Sequence, residues 1–133
     1  KSSTKVIQIE SAMGAAVEVF AGSRAIHVPR DRFRPVKSTN ELLLVQSDVF
    51  DLDDDANLVS QIDHAEPSVL LSSPYAMVPG FRQRFPEGVP SMRECTSLTV
   101  TADATFGADV TCIGDVVVDE DGVIAPGTVL GTA

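Results

Sequence analysis

LTVTADATFGADVTCIGDVVVDEDGVIAPGTVLGTA, residues 98–133, is the stretch on which the fold turns. Stepping by six from Val100 meets Phe106, Cys112, Val118, Ile124 and Leu130, all apolar. A second phase gives Leu98, Ala104, Val110 and Val116. A third gives Asp103, Asp109, Asp115 and Asp121, with Gly127 next in line. A strict period of six is neither the 3.6 of an isolated helix nor the 2 of a simple hairpin strand. It fits a parallel β-helix, in which each hexapeptide forms one flat face and its turn, with apolar side chains inward and Asp or Gly at the corners. The hexapeptides of residues 98–133 make roughly two coils if three faces complete a turn, and such stacks need about three or more repeats for stability. The end is therefore expected to be capped by the preceding segment or by another subunit. The competing architecture, a small β-sandwich, does not call for three phases in agreement.

Working towards the N-terminus, residues 67–90 hold five prolines and a helical stretch over 75–85. They read as a connector packed on something rather than as a domain. Residues 51–66, DLDDDANLVSQIDHAE, are acidic and weakly patterned, and read as a solvated loop. A calcium loop built on Asp51, Asp53 and Asp55 would lack its glycine and its closing Glu. Residues 38–50, STNELLLVQSDVF, carry a capping box, Ser38 with Glu41 three residues on. Leu42, Leu43, Val45, Val49 and Phe50 supply an apolar face, so a helix is expected over 39–50. Residues 25–28 are a short strand candidate ended by Pro29. Residues 6–20 read as a strand running into a helix, with Ser11 as N-cap, Glu10 in or beside the first turn and Gly22 as the stop.

The chain has 133 residues, enough for one ordinary domain or two small ones. It is 44% hydrophobic but only 5% aromatic, with no Trp, so the core must rely on Val, Ile, Leu and Ala. A net charge of −9 argues against a nucleic-acid partner, because neutralising phosphates needs a broad basic face. Cys95 and Cys112 lack metal-ligand spacing and read as reduced thiols of a cytoplasmic protein. No signal peptide and no apolar run of about 18 residues is present, so no membrane partner is expected. The first residue is Lys, which fits a piece of a longer chain. His27 reads as a packed or half-exposed strand residue, and His64 as a solvated one. Nucleotide-binding and hydrolase signatures such as Gly-x-x-x-x-Gly-Lys-Ser/Thr, Gly-x-Gly-x-x-Gly and Gly-x-Ser-x-Gly are missing.

One stretch runs against the acidic balance. RDRFRPVK, residues 30–37, holds four of the ten Lys and Arg. Arg30, Arg32 and Arg34 can brace a loop through salt bridges to the Asp-rich segment. Lys37 stands apart, because it follows Pro35 and precedes a capped helix N-terminus. Free N–H groups and the helix dipole favour an anion there, and an ammonium beside them adds a full charge. A surface lysine is the alternative.

Four stretches taken together resemble a known family. QIESAMGAA (8–16), VPRDRFRPVKSTNELLLVQSDVF (28–50), RFPEGVPSMRECTSLTVTADATFG (84–107) and IAPGTVL (124–130) are similar, in order, to the C-terminal portion of the eukaryotic-type UTP–glucose-1-phosphate uridylyltransferases. The UDP-N-acetylhexosamine pyrophosphorylases share the architecture but match the 28–50 stretch less well. The resemblance implies a fold: an α/β remnant of a nucleotidyltransferase domain (1–60), a connector with a short helix (61–95) and a small left-handed parallel β-helix of hexapeptide coils (96–133). It implies that UTP, glucose 1-phosphate and UDP-glucose are the substrates and product, with Mg²⁺ held mainly by substrate phosphates and by a preceding domain. It puts the family's catalytic, phosphate-contacting lysine at Lys37. Arg30 and Arg32 match structural positions, whereas Arg34 stands where the family usually has an apolar residue. The family's glycine-rich nucleotide loop is outside this chain, so the piece alone is expected to be inactive. The alternative function is a non-catalytic β-helix module that joins a homo-oligomer. A hexapeptide-repeat acyltransferase would need a catalytic His on the β-helix, and residues 98–133 contain none.

Overall fold

The computed structural model describes residues 17–132. Contacts divide the chain into two units, Lys1–Arg30 and Asp31–Ala133. In the first, residues 17–30 are all exposed. Gly22 adopts φ +84°, and the Ser23 N–H donates to the Phe20 carbonyl at 3.1 Å, so the chain turns where a stop was expected. Residues 25–28 are not a strand. Among the described residues no strand pairs with them, and extended backbone without a ladder gains nothing from its β-formers. The strand and helix expected over 6–20 fall mostly outside the described residues, Ser11 and Glu10 included.

The second unit runs α1 (Thr39–Gln46), β1 (Phe50–Leu52), β2 (Leu58–Ser60), β3 (Ser68–Leu71), α2 (Val78–Arg84), β4 (Ser91–Val100), β5 (Ala104–Phe106), β6 (Thr111–Val118), β7 (Gly122–Ile124) and β8 (Val129–Gly131). Two parallel sheets dominate, one in the order β3-β4-β6-β8 and one pairing β5 with β7. The registers carry the period of the sequence. Val100 lies opposite Val118, Phe106 opposite Ile124, and Cys112 opposite Leu130. Each pair is eighteen residues apart, which is three hexapeptides. The first half of β4 is out of step, with shifts between Ser91 and Glu94 and between Cys95 and Ser97. At that level β6 carries Gly114 at φ +63°, separating its Thr111–Ile113 half from the rest.

Two of the three sequence phases form the core. Leu98, Ala104, Val110 and Val116 are buried, as are Val100, Phe106, Cys112 and Val118; Ile124 and Leu130 at the last level are half-buried. Asp103, Asp109, Asp115 and Asp121 are exposed. Each fully buried Leu, Val or Phe is worth about 1.5–3 kcal/mol, so these repeats supply much of the stability. The connector closes one end. A 3₁₀ turn at Ser73–Tyr75 and then α2 bring Tyr75, Phe81 and Phe85 against Phe106, with ring centroids 4.8 Å apart for Phe85–Phe106 and for Phe81–Phe85. The expected single helix over 75–85 is thus two pieces, broken at Met77, the extended N-cap of α2, with Pro79 in the first helical turn where its missing N–H costs nothing.

Two further expectations are corrected. Helix α1 stops at Gln46, not at residue 50. The Ser47 hydroxyl donates to the Leu44 carbonyl at 2.8 Å, and its N–H bonds Leu43 and Leu44 carbonyls. Leaving the helix lets Val49 bury completely and lets Asp48 accept from the Met92 N–H (2.8 Å) and the Ser91 hydroxyl (2.6 Å), tying α1 to β4. Residues 51–66 are not wholly loop either, because β1 and β2 form an antiparallel hairpin. At its turn Asp53 accepts from the N–H groups of Asp55 and Asn57.

Candidate functional site

Lys37 sits one residue before the N-cap of α1, and α1 itself is pinned to the large sheet: Asn40 Oδ1 accepts from the Leu71 N–H at 3.1 Å, at the outer edge of β3. The lysine is exposed, and among the described residues its ammonium is in no ion pair. It borders a shallow recess of about 260 Å³ lined also by Val36, Thr39, Leu42, Ala76, Met77 and Val78.

The helix entry is not open to an anion in the way the sequence suggests. Glu41 folds back so that its carboxylate accepts from the Ser38 N–H at 2.8 Å and the Ser38 hydroxyl at 2.6 Å, while the Ser38 oxygen accepts from the Asn40 N–H at 3.2 Å. These bonds, led by the Ser38 hydroxyl, hold the Glu41 carboxyl below its ordinary range. The chain's own carboxylate already occupies the dipole end. Any anion recruited here must therefore be met by the Lys37 ammonium itself.

The approach to Lys37 is braced from both sides. Arg32 Nη1 donates to Asn57 Oδ1 at 2.7 Å, and Asn57 is held by Asp53 through bonds of 2.7 and 2.9 Å. Arg34 forms a fork on Glu66, with Nη1 to Oε1 at 2.7 Å, and its guanidinium lies 4.4 Å from the centre of the Phe50 ring. The paired arginine holds the Glu66 carboxyl down, and the carboxylate raises Arg34 in turn. Bracing of the loop by arginines was legible in the sequence; Asn57 and Glu66 as the receivers were not.

Other sequence candidates lie elsewhere. His27 is exposed in the first unit. His64 is exposed but anchored, with Nδ1 2.9 Å from the Ala65 carbonyl and Nε2 2.9 Å from the Arg93 carbonyl on β4. Cys95 and Cys112 are free, fully buried thiols. Hydrogen bonding to Cys95 and burial push the Cys112 thiol up, which leaves it protonated and unreactive. Among the described residues no group of three His, Cys, Asp or Glu could hold a metal ion, and no helix is long and apolar enough to cross a membrane.

Parallel sheets under a braced, lysine-bearing helix entry define an α/β chain with a repeat-built C-terminal part, and known proteins share it. A sequence model described as UTP--glucose-1-phosphate uridylyltransferase matches residues 1–112, and the chain belongs to that family. It is 41% identical to the UTP--glucose-1-phosphate uridylyltransferase of Solanum tuberosum over 117 residues, 86% of this chain and 24% of that protein. It is similar to the solved UDP-glucose phosphorylase of Trypanosoma brucei, at 43% identity and TM-score 0.70, covering 96% of this chain and 29% of that one. A mutant UDP-glucose pyrophosphorylase of Leishmania major in complex with UDP-glucose matches at 38% identity and TM-score 0.71, covering 91% and 27%. The chain thus spans about a quarter of the length of these relatives.

Proposed function

We propose that this chain is the C-terminal portion of an enzyme that makes UDP-glucose and pyrophosphate from UTP and glucose 1-phosphate. Family membership over residues 1–112 is the observation that carries this reading. In it, the sugar phosphate oxygen attacks the α-phosphorus of UTP and pyrophosphate leaves. Such transfer depends on positioning and on stabilising charge that builds on the phosphoryl oxygens. Lys37 is the residue given that second task. Its exposure, its lack of an ion pair among the described residues, and the braced segment that presents it support the assignment. Mg²⁺ supplies further charge neutralisation when bound. The residues around Lys37 do not suit it, since the Glu41 carboxylate at this helix entry is engaged by Ser38. The ion's contacts are proposed to come from the substrate phosphates and from the rest of the enzyme.

In the same reading, residues 1–60 end the catalytic domain, 61–95 connect, and 96–133 form a left-handed parallel β-helix. The eighteen-residue registers support three hexapeptide faces per coil. The protein is proposed to be cytoplasmic. The isolated chain is proposed to be inactive, and initial-rate assays of UDP-glucose formation by the chain and by the full-length protein test this. Turnover by the chain alone overturns the division of labour; absence of turnover by the full-length protein overturns the activity.

The second reading, an assembly module, draws on Val117, Val123 and Val129, which are exposed on the outer faces of β6, β7 and β8. A homo-oligomer would cover them. Sedimentation across a concentration series, with Val123→Lys as the comparison, tests it: mass that never exceeds the monomer rules it out.

A further inference from the structure

His64 and Glu66 lie on one short loop between β2 and β3, and each reaches a different part of the unit. His64 spans to the backbone of β4, where Nε2 meets the Arg93 carbonyl, while Nδ1 meets the Ala65 carbonyl. Both partners are carbonyl oxygens, which can only accept. A neutral imidazole has one N–H, so it satisfies one of the two; only the imidazolium donates to both. Two residues on, Glu66 holds the guanidinium of Arg34 in a fork, and Arg34 is three residues before Lys37. The intervening Pro35 stiffens the link.

From this geometry we infer that the 63–66 loop is a pH-sensitive strap, in which protonated His64 fixes the loop to β4 so that Glu66 can hold Arg34 and set the position of the Lys37 segment. Its value to catalysis rests on the proposed role of Lys37; its geometry does not. The charged groups facing His64 are Asp63 on its own loop and Arg93 and Glu94 on β4, which line the same groove. The Arg93 guanidinium is turned towards Asp48, donating to its carbonyl at 3.0 Å and lying 3.7 Å from its carboxylate, so its charge is partnered. Asp63 favours the imidazolium, and the two carbonyls favour it more. A histidine raised in the folded state contributes fully below about pH 6.5, its unfolded value. That contribution is lost as pH rises through the folded value. The strap is closed in mild acid and loosens towards alkaline pH.

The test is an NMR titration of the 133-residue chain from pH 5 to pH 8.5. The chain has only His27 and His64, and His64→Gln assigns the second ring. The expected result has three parts. The His64 midpoint lies above about 6.5. The backbone amides of Arg34 and Lys37 shift with that same midpoint. In Glu66→Gln the ring still titrates but the Arg34 and Lys37 amides no longer follow it, and Glu66→Asp restores part of the response. A midpoint at or below about 6.5 overturns the fixing of the loop to β4 by protonated His64, and amides at 34 and 37 that ignore His64 in the parent chain overturn its link to the Lys37 segment. None of these NMR outcomes depends on enzymatic activity, so failure here is distinct from failure of the proposed function. In the full-length protein, Glu66→Gln is expected to flatten the pH profile of turnover between pH 6 and 8.

Discussion

The Tyr75 hydroxyl donates to the Ala104 carbonyl at 2.5 Å and accepts from the Ala104 N–H at 3.2 Å. Ala104 opens β5, which pairs with β7 and with no other strand among the described residues. One side chain therefore serves the donor and the acceptor that a further strand would have served. The ring is fully buried and lies beside Phe85, with Arg84 over it. The connector closes the end of the repeat in chemical detail as well as in shape.

Tyr75→Phe keeps the ring and removes both bonds, leaving a buried N–H and C=O without that partner. Each unsatisfied group costs about 1–3 kcal/mol. The variant is expected to fold with a lower urea midpoint and an unchanged m-value. A midpoint equal to the parent's would show that solvent reaches Ala104.

How much of this was legible in the sequence varied with the range of the interaction. The hexapeptide phases were readable because two side chains per repeat face inward at a fixed spacing, and the registers of eighteen follow once three repeats complete a turn. The α1 cap was readable because Ser38 and Glu41 are three residues apart. The end of α1 was not, because Val49 and Phe50 continue the helical spacing while serving other surroundings. The β1–β2 hairpin escaped because its strands are three residues long and carry no alternation. His64 looked solvated because its partner carbonyl is 29 residues away. At the candidate site, the position of Lys37 before a capped helix was readable, but the Glu41 carboxylate was assigned only to the cap, not to the seat an anion would need.

Gly114 and Gly127 separate two costs. Both adopt positive φ, +63° and +72°. A Cβ at Gly127 would meet nothing within 4 Å, whereas at Gly114 it would meet the Thr132 carbonyl oxygen at 2.5 Å. Gly127→Ala is expected to cost about 1–2 kcal/mol, the penalty of left-handed backbone for an L-residue. Gly114→Ala should cost more, because backbone must also move. Equal losses in thermal or urea unfolding would mean that the end of the chain near Thr132 gives way freely.

Stability should peak in mild acid. Glu66 is held down by Arg34, Asp103 by Arg84, Asp53 by Asn57 and Glu41 by Ser38. Depressed carboxyls contribute fully above their unfolded values, about 3.9 for Asp and 4.3 for Glu, and lose that contribution as pH falls through the folded ones. His64 acts in the opposite sense, contributing below about 6.5. Melting temperature is therefore expected to rise from pH 8 to pH 5.5 and to fall below pH 4. His64→Gln should flatten only the upper limb. A limb that survives the substitution would assign it to another group.

Lys37 offers the sharpest separation of stability from function. Its side chain is exposed and, among the described residues, unpaired, so Lys37→Ala should change unfolding free energy by no more than about 0.5 kcal/mol. In the full-length protein the same change is expected to lower kcat by about 10²–10³, the scale seen when one preorganised charge-stabilising donor is removed. KM should move less, because the proposed contact strengthens as charge develops on the phosphoryl oxygens. Lys37→Arg keeps the charge but spreads it over a planar fork, so partial recovery is expected. A large KM change with kcat intact would make Lys37 a ground-state phosphate contact, and near-normal values of both would remove it from the reaction altogether.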